Sequence, residues 1–232
     1  MKVINTRPSP DAAAFTAAIR EAGAEVIASP VMTINFRDDT APVAPDEALA
    51  FTSANGVRAF ARANQDRRPK AFAVGAATAD EARRAGFGLV ETAKGDVESL
   101  ADLIAAAKPP CHILHLAGSD RAGDLVAALD ARGVRARRLV LYDAVPSADL
   151  TPAARAALAD EPENCAVALF SPRSAALFYA QTVRAGVEDR LAAVQLLAFS
   201  GAVAAAALPD RWRSVKIAAD RTLEAMAALI SA

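Results

Sequence analysis

One block of this chain occurs twice, and that constrains the fold more than any other feature. Phe51-Thr52-Ser53-Ala54-Asn55-Gly56-Val57-Arg58-Ala59-Phe60 returns in shape as Phe170-Ser171-Pro172-Arg173-Ser174-Ala175-Ala176-Leu177-Phe178-Tyr179. In each copy a short apolar strand stops at hydroxyl side chains where an amphipathic helix starts. Three further blocks recur in the same order. The strand–helix–strand unit closed by Gly23 returns at Gly133, 110 residues on, and the Val74-Gly75 turn returns at Phe199-Ser200, 125 on. The strand near Val90 returns at Val215, again 125 on, and Phe51 itself at Phe170, 119 on. Agreement of four blocks in order predicts two structurally similar halves.

The rest of the chain fits such units. Lys2 to Thr6 reads as a strand, Pro10-Asp11 opens a helix with Ala14, Phe15, Ala18, Ile19 and Ala22 on its buried face, and Glu25 to Val31 returns as a strand. Strands follow at Lys70 to Val74, Leu89 to Thr92, His112 to Leu116, Val134 to Tyr142, Ala166 to Phe170, Gln195 to Phe199 and Val215 to Ala218, with helices between them. Pro109-Pro110 ends one of these helices, and Asn55-Gly56 reads as a turn. Alternating strands and helices predict an α/β fold with parallel sheets. Two polar, proline-bearing stretches, Arg37 to Asp46 and Asp143 to Thr151, are the candidate linkers.

In open α/β sheets ligands bind beyond the carboxyl ends of the strands, where free N–H groups of the first helical turn favour an anion. Both hydroxyl-rich rims are therefore expected to face one cleft. Net charge is −1 with no block of like charge, which argues against a general nucleic-acid or membrane surface, so an acidic ligand must be held by local donors. The 232 residues are 53% hydrophobic and 23% charged, a composition that buries a core rather than staying disordered. Met1-Lys2-Val3-Ile4 enters a strand at once, with no leader pattern, and no apolar run is long enough to span a bilayer. Cys111 and Cys165 lack a CxxC pairing and are expected as free thiols in a reducing compartment, the cytoplasm.

Other chemistry finds little support. His112 and His115 lie an odd number apart on one strand and so point to opposite faces, which argues against a shared metal ion. No Gly-rich fingerprint follows the first strand, and nothing fixes a Ser-His-Asp geometry around Ser119, Asp120 and His115.

The chain resembles the uroporphyrinogen-III synthase family. The matching features are Thr6-Arg7-Pro8 after a strand, Phe51-Thr52-Ser53, Val74-Gly75-Ala76-Ala77-Thr78-Ala79, Gly118 with Arg121 and Leu125, and Leu141-Tyr142. Phe170-Ser171-Pro172-Arg173-Ser174-Ala175 and Ala218 with Thr222 and Met226 complete the pattern, which covers essentially the whole chain. The resemblance implies two similar open parallel-sheet, flavodoxin-like domains joined by a two-stranded hinge. The first would be discontinuous, residues 1–34 and 147–232, and the second residues 37–144. It implies a cofactor-free and metal-free cyclisation of hydroxymethylbilane to uroporphyrinogen III, with loss of water, a spiro intermediate and inversion of ring D. It also implies action on a polycarboxylate tetrapyrrole, with hand-off of substrate from hydroxymethylbilane synthase; separately, two small domains with no large exposed apolar stripe point to a monomer. In that reading Tyr142 is the catalytic proton donor or orienter for the departing hydroxyl. Thr52, Ser53, Thr78, Ser171 and Ser200 are carboxylate donors together with the Gly118 segment, and Arg7 and Arg173 are propionate partners.

One departure from the family pattern stands out. Many members carry Gly-Pro-Thr-Thr where this chain has Ser200-Gly201-Ala202-Val203, so a hydroxyl expected near Val203 is missing and Ser200 is the stand-in. Two rivals follow from the same residues: a non-catalytic two-domain binder of an anionic small molecule, and a sugar-phosphate isomerase, which would want an acid–base residue in the cleft.

Overall fold

The structure is a computed structural model that describes residues 1–38, 42–107, 112–120 and 123–231. Cys111, Arg121 and the Pro109-Pro110 helix stop lie outside the described residues. In chain order the strands are β1 (Lys2–Asn5), β2 (Glu25–Ala28), β3 (Met32–Phe36), β4 (Glu47–Phe51), β5 (Ala71–Ala73), β6 (Val90–Thr92), β7 (His112–Gly118), β8 (Ala136–Pro146), β9 (Cys165–Leu169), β10 (Gln195–Ala198) and β11 (Ser214–Ile217). The helices are α1 (Ala12–Glu21), α2 (Ala54–Ala63), α3 (Ala76–Arg84), α4 (Val97–Ala106), α5 (Leu125–Asp130), α6 (Pro152–Asp160), α7 (Pro172–Ala185), α8 (Gly201–Ala206) and α9 (Leu223–Ser231).

These elements form two compact units, Met1–Thr33 with Val145–Ala232, and Ile34–Ala144. The sheet of the first runs β11-β10-β9-β1-β2, every neighbour parallel. The sheet of the second runs β3-β8-β7-β4-β5-β6, parallel from β8 to β6. Beside β8, β3 runs antiparallel: the Arg37 N–H donates to the Leu141 carbonyl and the Ser147 N–H to the Val31 carbonyl, both at 2.9 Å. The chain thus passes between units twice, on neighbouring strands, and both boundaries fall at these strands. The first boundary falls within β3, ahead of the Asp- and Pro-rich stretch expected as a linker.

The repeat is visible in the topology. Strands β1, β2, β9, β10 and β11 of the first unit hold the places of β7, β8, β4, β5 and β6 in the second: the first has the flavodoxin-like order, and the second has the same spatial order circularly permuted, because β4, β5 and β6 precede β7 and β8 in the chain. Backbone hydrogen bonds fix the correspondence residue by residue. Val74 N–H to Phe51 carbonyl (3.0 Å) matches Phe199 N–H to Leu169 carbonyl (3.0 Å), and Gly23 N–H to Arg20 carbonyl matches Gly133 N–H to Asp130 carbonyl, each 2.9 Å. Phe51 therefore corresponds to Leu169 rather than to Phe170, a register one residue shorter than sequence similarity suggests.

Central strands of a parallel sheet are covered on both faces and so carry unbroken apolar runs. Ala48 to Phe51 and Cys165 to Leu169 are such runs, fully buried. In the second unit Leu49, Phe51, Leu114 and Leu116 face Phe60 and Phe87 on one side, while Ala48, Ala50 and Ile113 face Leu100, Ile104 and Leu125 on the other. Gly56 makes no turn, because α2 already begins at Ala54. A Cβ at Gly56 would sit 2.7 Å from the Leu116 carbonyl oxygen, so glycine there lets the helix settle onto β7. β8 continues past Tyr142 to Pro146, into the stretch expected as the second linker, because β3 supplies a partner for its edge.

Candidate active site

Each unit ends its central strands in a rim of hydroxyl groups at helix starts. In the second unit Ser53 caps α2, its Oγ accepting the Asn55 N–H at 3.1 Å. Thr52, one residue earlier, has its Oγ1 3.0 Å from Nε2 of His115 on β7. Gly75 starts α3 with no side-chain cap, and Thr78 lies in the first turn of that helix, 6% exposed. In the first unit Ser171 caps α7 through a capping box with Ser174 (3.0 Å from the Ser174 N–H), with Pro172 behind it. Ser200 caps the short α8 by accepting the Val203 N–H at 3.4 Å. A hydroxyl that accepts a backbone N–H keeps its own hydrogen for another partner, so capping and ligand donation are compatible at one residue.

Tyr142 lies on β8, 9% exposed, packed with Leu141, Leu114 and Leu116. Its ring covers Gly118 at the end of β7, where a Cβ would stand 2.7 Å from ring carbons Cε2 and Cζ and 3.1 Å from the hydroxyl. The structure thus gives Gly118 a packing reason: only glycine leaves room for this ring. The Ser119 N–H donates to the Tyr142 carbonyl at 2.9 Å. Next door, Asp143 takes a two-pronged bond from Arg37 (2.9 Å to each oxygen), and this guanidinium, aided by the Ser119 hydroxyl, holds its carboxyl down at about 2. The strand is pinned on both sides of the tyrosine.

Arg7 follows β1 in the first unit. Its guanidinium lies 4.6 Å from the Phe170 ring centre and 3.8 Å from the Asp11 carboxylate, so it is held near the rim by an aromatic face and an acid. Arg173 stands half-buried in the first turn of α7. Of the expected residues, Thr52, Ser53, Thr78, Gly118 and Tyr142 fall in the second unit and Arg7, Ser171, Arg173 and Ser200 in the first.

Two residues near these rims escaped sequence reasoning. His115, 5% exposed, fits only a metal-ligand or triad pattern in the sequence, and here it is hydrogen-bonded to Thr52. Arg138 on β8 donates to the Gly118 carbonyl and, more distantly, to those of Ser119 (3.3 Å) and Asp120 (3.4 Å), gathering the end of β7 around one positive charge. A signal for His115 did exist. It shares strand parity with Ile113, the face on which Ala48, Ala50 and Thr52 also fall once β4 lies beside β7. His112 points the other way, exposed and 3.1 Å from Asp46, and no cluster of three metal-ligating side chains occurs among the described residues. Cys165 is a free buried thiol, and burial raises its pKa. No helix of the described residues is long and apolar enough to cross a membrane.

Two parallel-sheet units with polar groups gathered at the strand carboxyl ends define an α/β protein of the kind that takes ligands at those ends. Residues 13–228 match the family described as Uroporphyrinogen-III synthase HemD. The chain belongs to that family of enzymes and so has a role in tetrapyrrole biosynthesis. Its fold is similar to the uroporphyrinogen-III synthetase of Helicobacter pylori, at 16% identity and a TM-score of 0.65, covering 98% of this chain and 96% of that one. It is also similar to a mutant uroporphyrinogen III synthase of Thermus thermophilus, at 20% identity and a TM-score of 0.56, covering 97% and 95%. No curated protein sequence matches the chain.

Proposed function

We propose that this chain cyclises hydroxymethylbilane to uroporphyrinogen III. The hydroxyl of the substrate leaves as water once protonated, and the resulting electrophilic carbon is attacked by the substituted carbon of ring D to give a spiro intermediate. That ring then detaches at one bond and recloses inverted, and loss of a proton restores the pyrrole. Tyr142 supplies or orients the proton for the departing oxygen. Thr52, Ser53, Thr78, Ser171 and Ser200 give hydrogen bonds to acetate and propionate groups, with Arg7 and Arg173 as charged partners.

The observation that carries this reading is the placing of Tyr142 over Gly118 at the end of β7, a buried ring with its hydroxyl at the strand terminus where such folds take ligands. Neutral donors preorganised around a polyanion suit a protein of net charge −1, and they restrain a flexible chain against its spontaneous closure. A monomer receiving its substrate from hydroxymethylbilane synthase fits the same reading. Incubation of the purified protein with hydroxymethylbilane tests it: isomer III in excess of spontaneous isomer I is the expected product, and isomer I alone refutes the assignment.

A further inference from the structure

His115 is a buried, titratable group that the mechanism above does not use. Register sets it beside Ala50 on β4 and Arg138 on β8, and its Nε2 lies 3.0 Å from Oγ1 of Thr52. No partner for Nδ1 occurs among the described residues, although that atom is buried. Burial, and secondly the charge of Arg138, pull its pKa down to about 4 against the opposing pull of Asp124 at the start of α5, so at neutral pH the ring is uncharged and carries one N–H. Placed on Nδ1, that hydrogen would be a buried donor with no acceptor, the orphan that folded proteins least tolerate. Placed on Nε2, it has Thr52 to meet.

We infer that His115 is a positioning residue. By donating its Nε2–H to Thr52 Oγ1, it leaves the threonine hydroxyl hydrogen free to be given to a carboxylate of the substrate. A hydroxyl has one hydrogen. With the opposite wiring, Thr52 would donate to the ring and present only lone pairs, repelling an anion. The tautomer of a buried histidine thus sets the polarity of the rim. This inference rests on the reading of the site given above for the identity of the ligand, but not for the wiring itself.

The wiring is measured without turnover. The chain has two histidines, so 15N-histidine NMR with His112→Gln as the assignment variant reads His115 directly. A neutral Nε2–H ring from pH 8 down to pH 5 is expected, and an Nδ1–H ring, or one that charges near its ordinary pKa, overturns the inference. Kinetics test the consequence. His115→Asn, whose amide lies near the place of Nδ1, should raise KM for hydroxymethylbilane about tenfold with little change in kcat, the scale of one hydrogen bond to a charged group. His115→Gln carries an amide N–H toward the place of Nε2 and should bring KM most of the way back. Equal behaviour of the two variants, or a loss confined to kcat, overturns the role. A wild-type protein that yields only isomer I instead removes the proposed ligand, while the NMR result still decides the wiring.

Discussion

Where the first unit carries Asn5, the second carries His115, 110 residues on and at the same point of the same central strand. Asn5 is closed upon its own unit: its Nδ2 donates to the Ala12 carbonyl and to Thr16 Oγ1, both at 3.1 Å, and its Oδ1 accepts the Arg7 N–H at 3.2 Å. His115 turns instead to Thr52 at the rim, and in the place of Thr52 the first unit has Phe170, under the Arg7 guanidinium. The contrast continues outward, with Val203 where the second unit has Thr78, and Ser174, half of a capping box, where it has Gly56. Shared topology fixes where polar groups stand, and the side chains decide whether they hold backbone or look outward. The first unit uses its positions to secure helix α7, which also ends in a left-handed Gly186, whereas the second leaves more of them at the strand ends.

The contrast is broken or sharpened by five measurements, taken from the largest expected effect down. A buried neutral histidine must charge when the protein unfolds in acid, so stability is complete above its unfolded pKa near 6.5 and falls as pH drops toward about 4. The difference is roughly 3 kcal/mol at about 1.4 kcal/mol per pKa unit. Urea unfolding at pH 7 and pH 4 should show His115→Gln losing this slope, while Asn5→Ala keeps it. Asp143, held down by Arg37, keeps its contribution above about 3.8 and loses it as pH falls toward about 2, below that window. In steady-state assays Tyr142→Phe should lower kcat about a hundredfold, the low end for loss of a general acid, with KM little changed. Gly118→Ala, which displaces the same ring, should resemble it, whereas substitutions at the first unit's rim should act mainly on KM.

Gly56→Ser places an atom against the Leu116 carbonyl, and a cost of about 2 kcal/mol is expected from overpacking, measured by chemical denaturation. Serine at the matching position 174 is already native, which isolates the difference in helix seating. Ser171→Ala should cost about 1 kcal/mol through loss of its half of a capping box, and Ser53→Ala less, because its bond to the Asn55 N–H belongs to no capping box among the described residues. A larger loss at Ser53 would reverse the assignment of holding and donating roles. Finally, Thr78→Val should raise KM about threefold, a weak hydrogen bond's worth, and Val203→Thr should leave it nearly unchanged.

Much of the fold was legible in residues read singly. Apolar runs at Ala48 to Phe51 and Ala166 to Phe170, stops at Gly23 and Gly133, and hydroxyls before helices mark the class and the internal repeat. The register did not follow, because Phe51 and Phe170 look alike, yet it is Leu169 that holds the place of Phe51. Asn55-Gly56 read as a turn because these residues favour turns, but close packing against β7 is a second reason for glycine that local sequence does not reveal. His115 read as an idle member of a metal or triad pattern, since its partner lies 63 residues away, just past the end of another strand.

The sequence by itself determined the kind of elements, their order, the doubling of that order and the hydroxyl groups waiting at helix starts, because periodicity, caps and stops act over a few residues. Tertiary structure alone decided that Tyr142 lies on Gly118, that Arg138 gathers the end of β7, and that a histidine on β7 meets a threonine just past β4. Such contacts depend on which strands lie side by side and in what register, and no short-range rule carries that information.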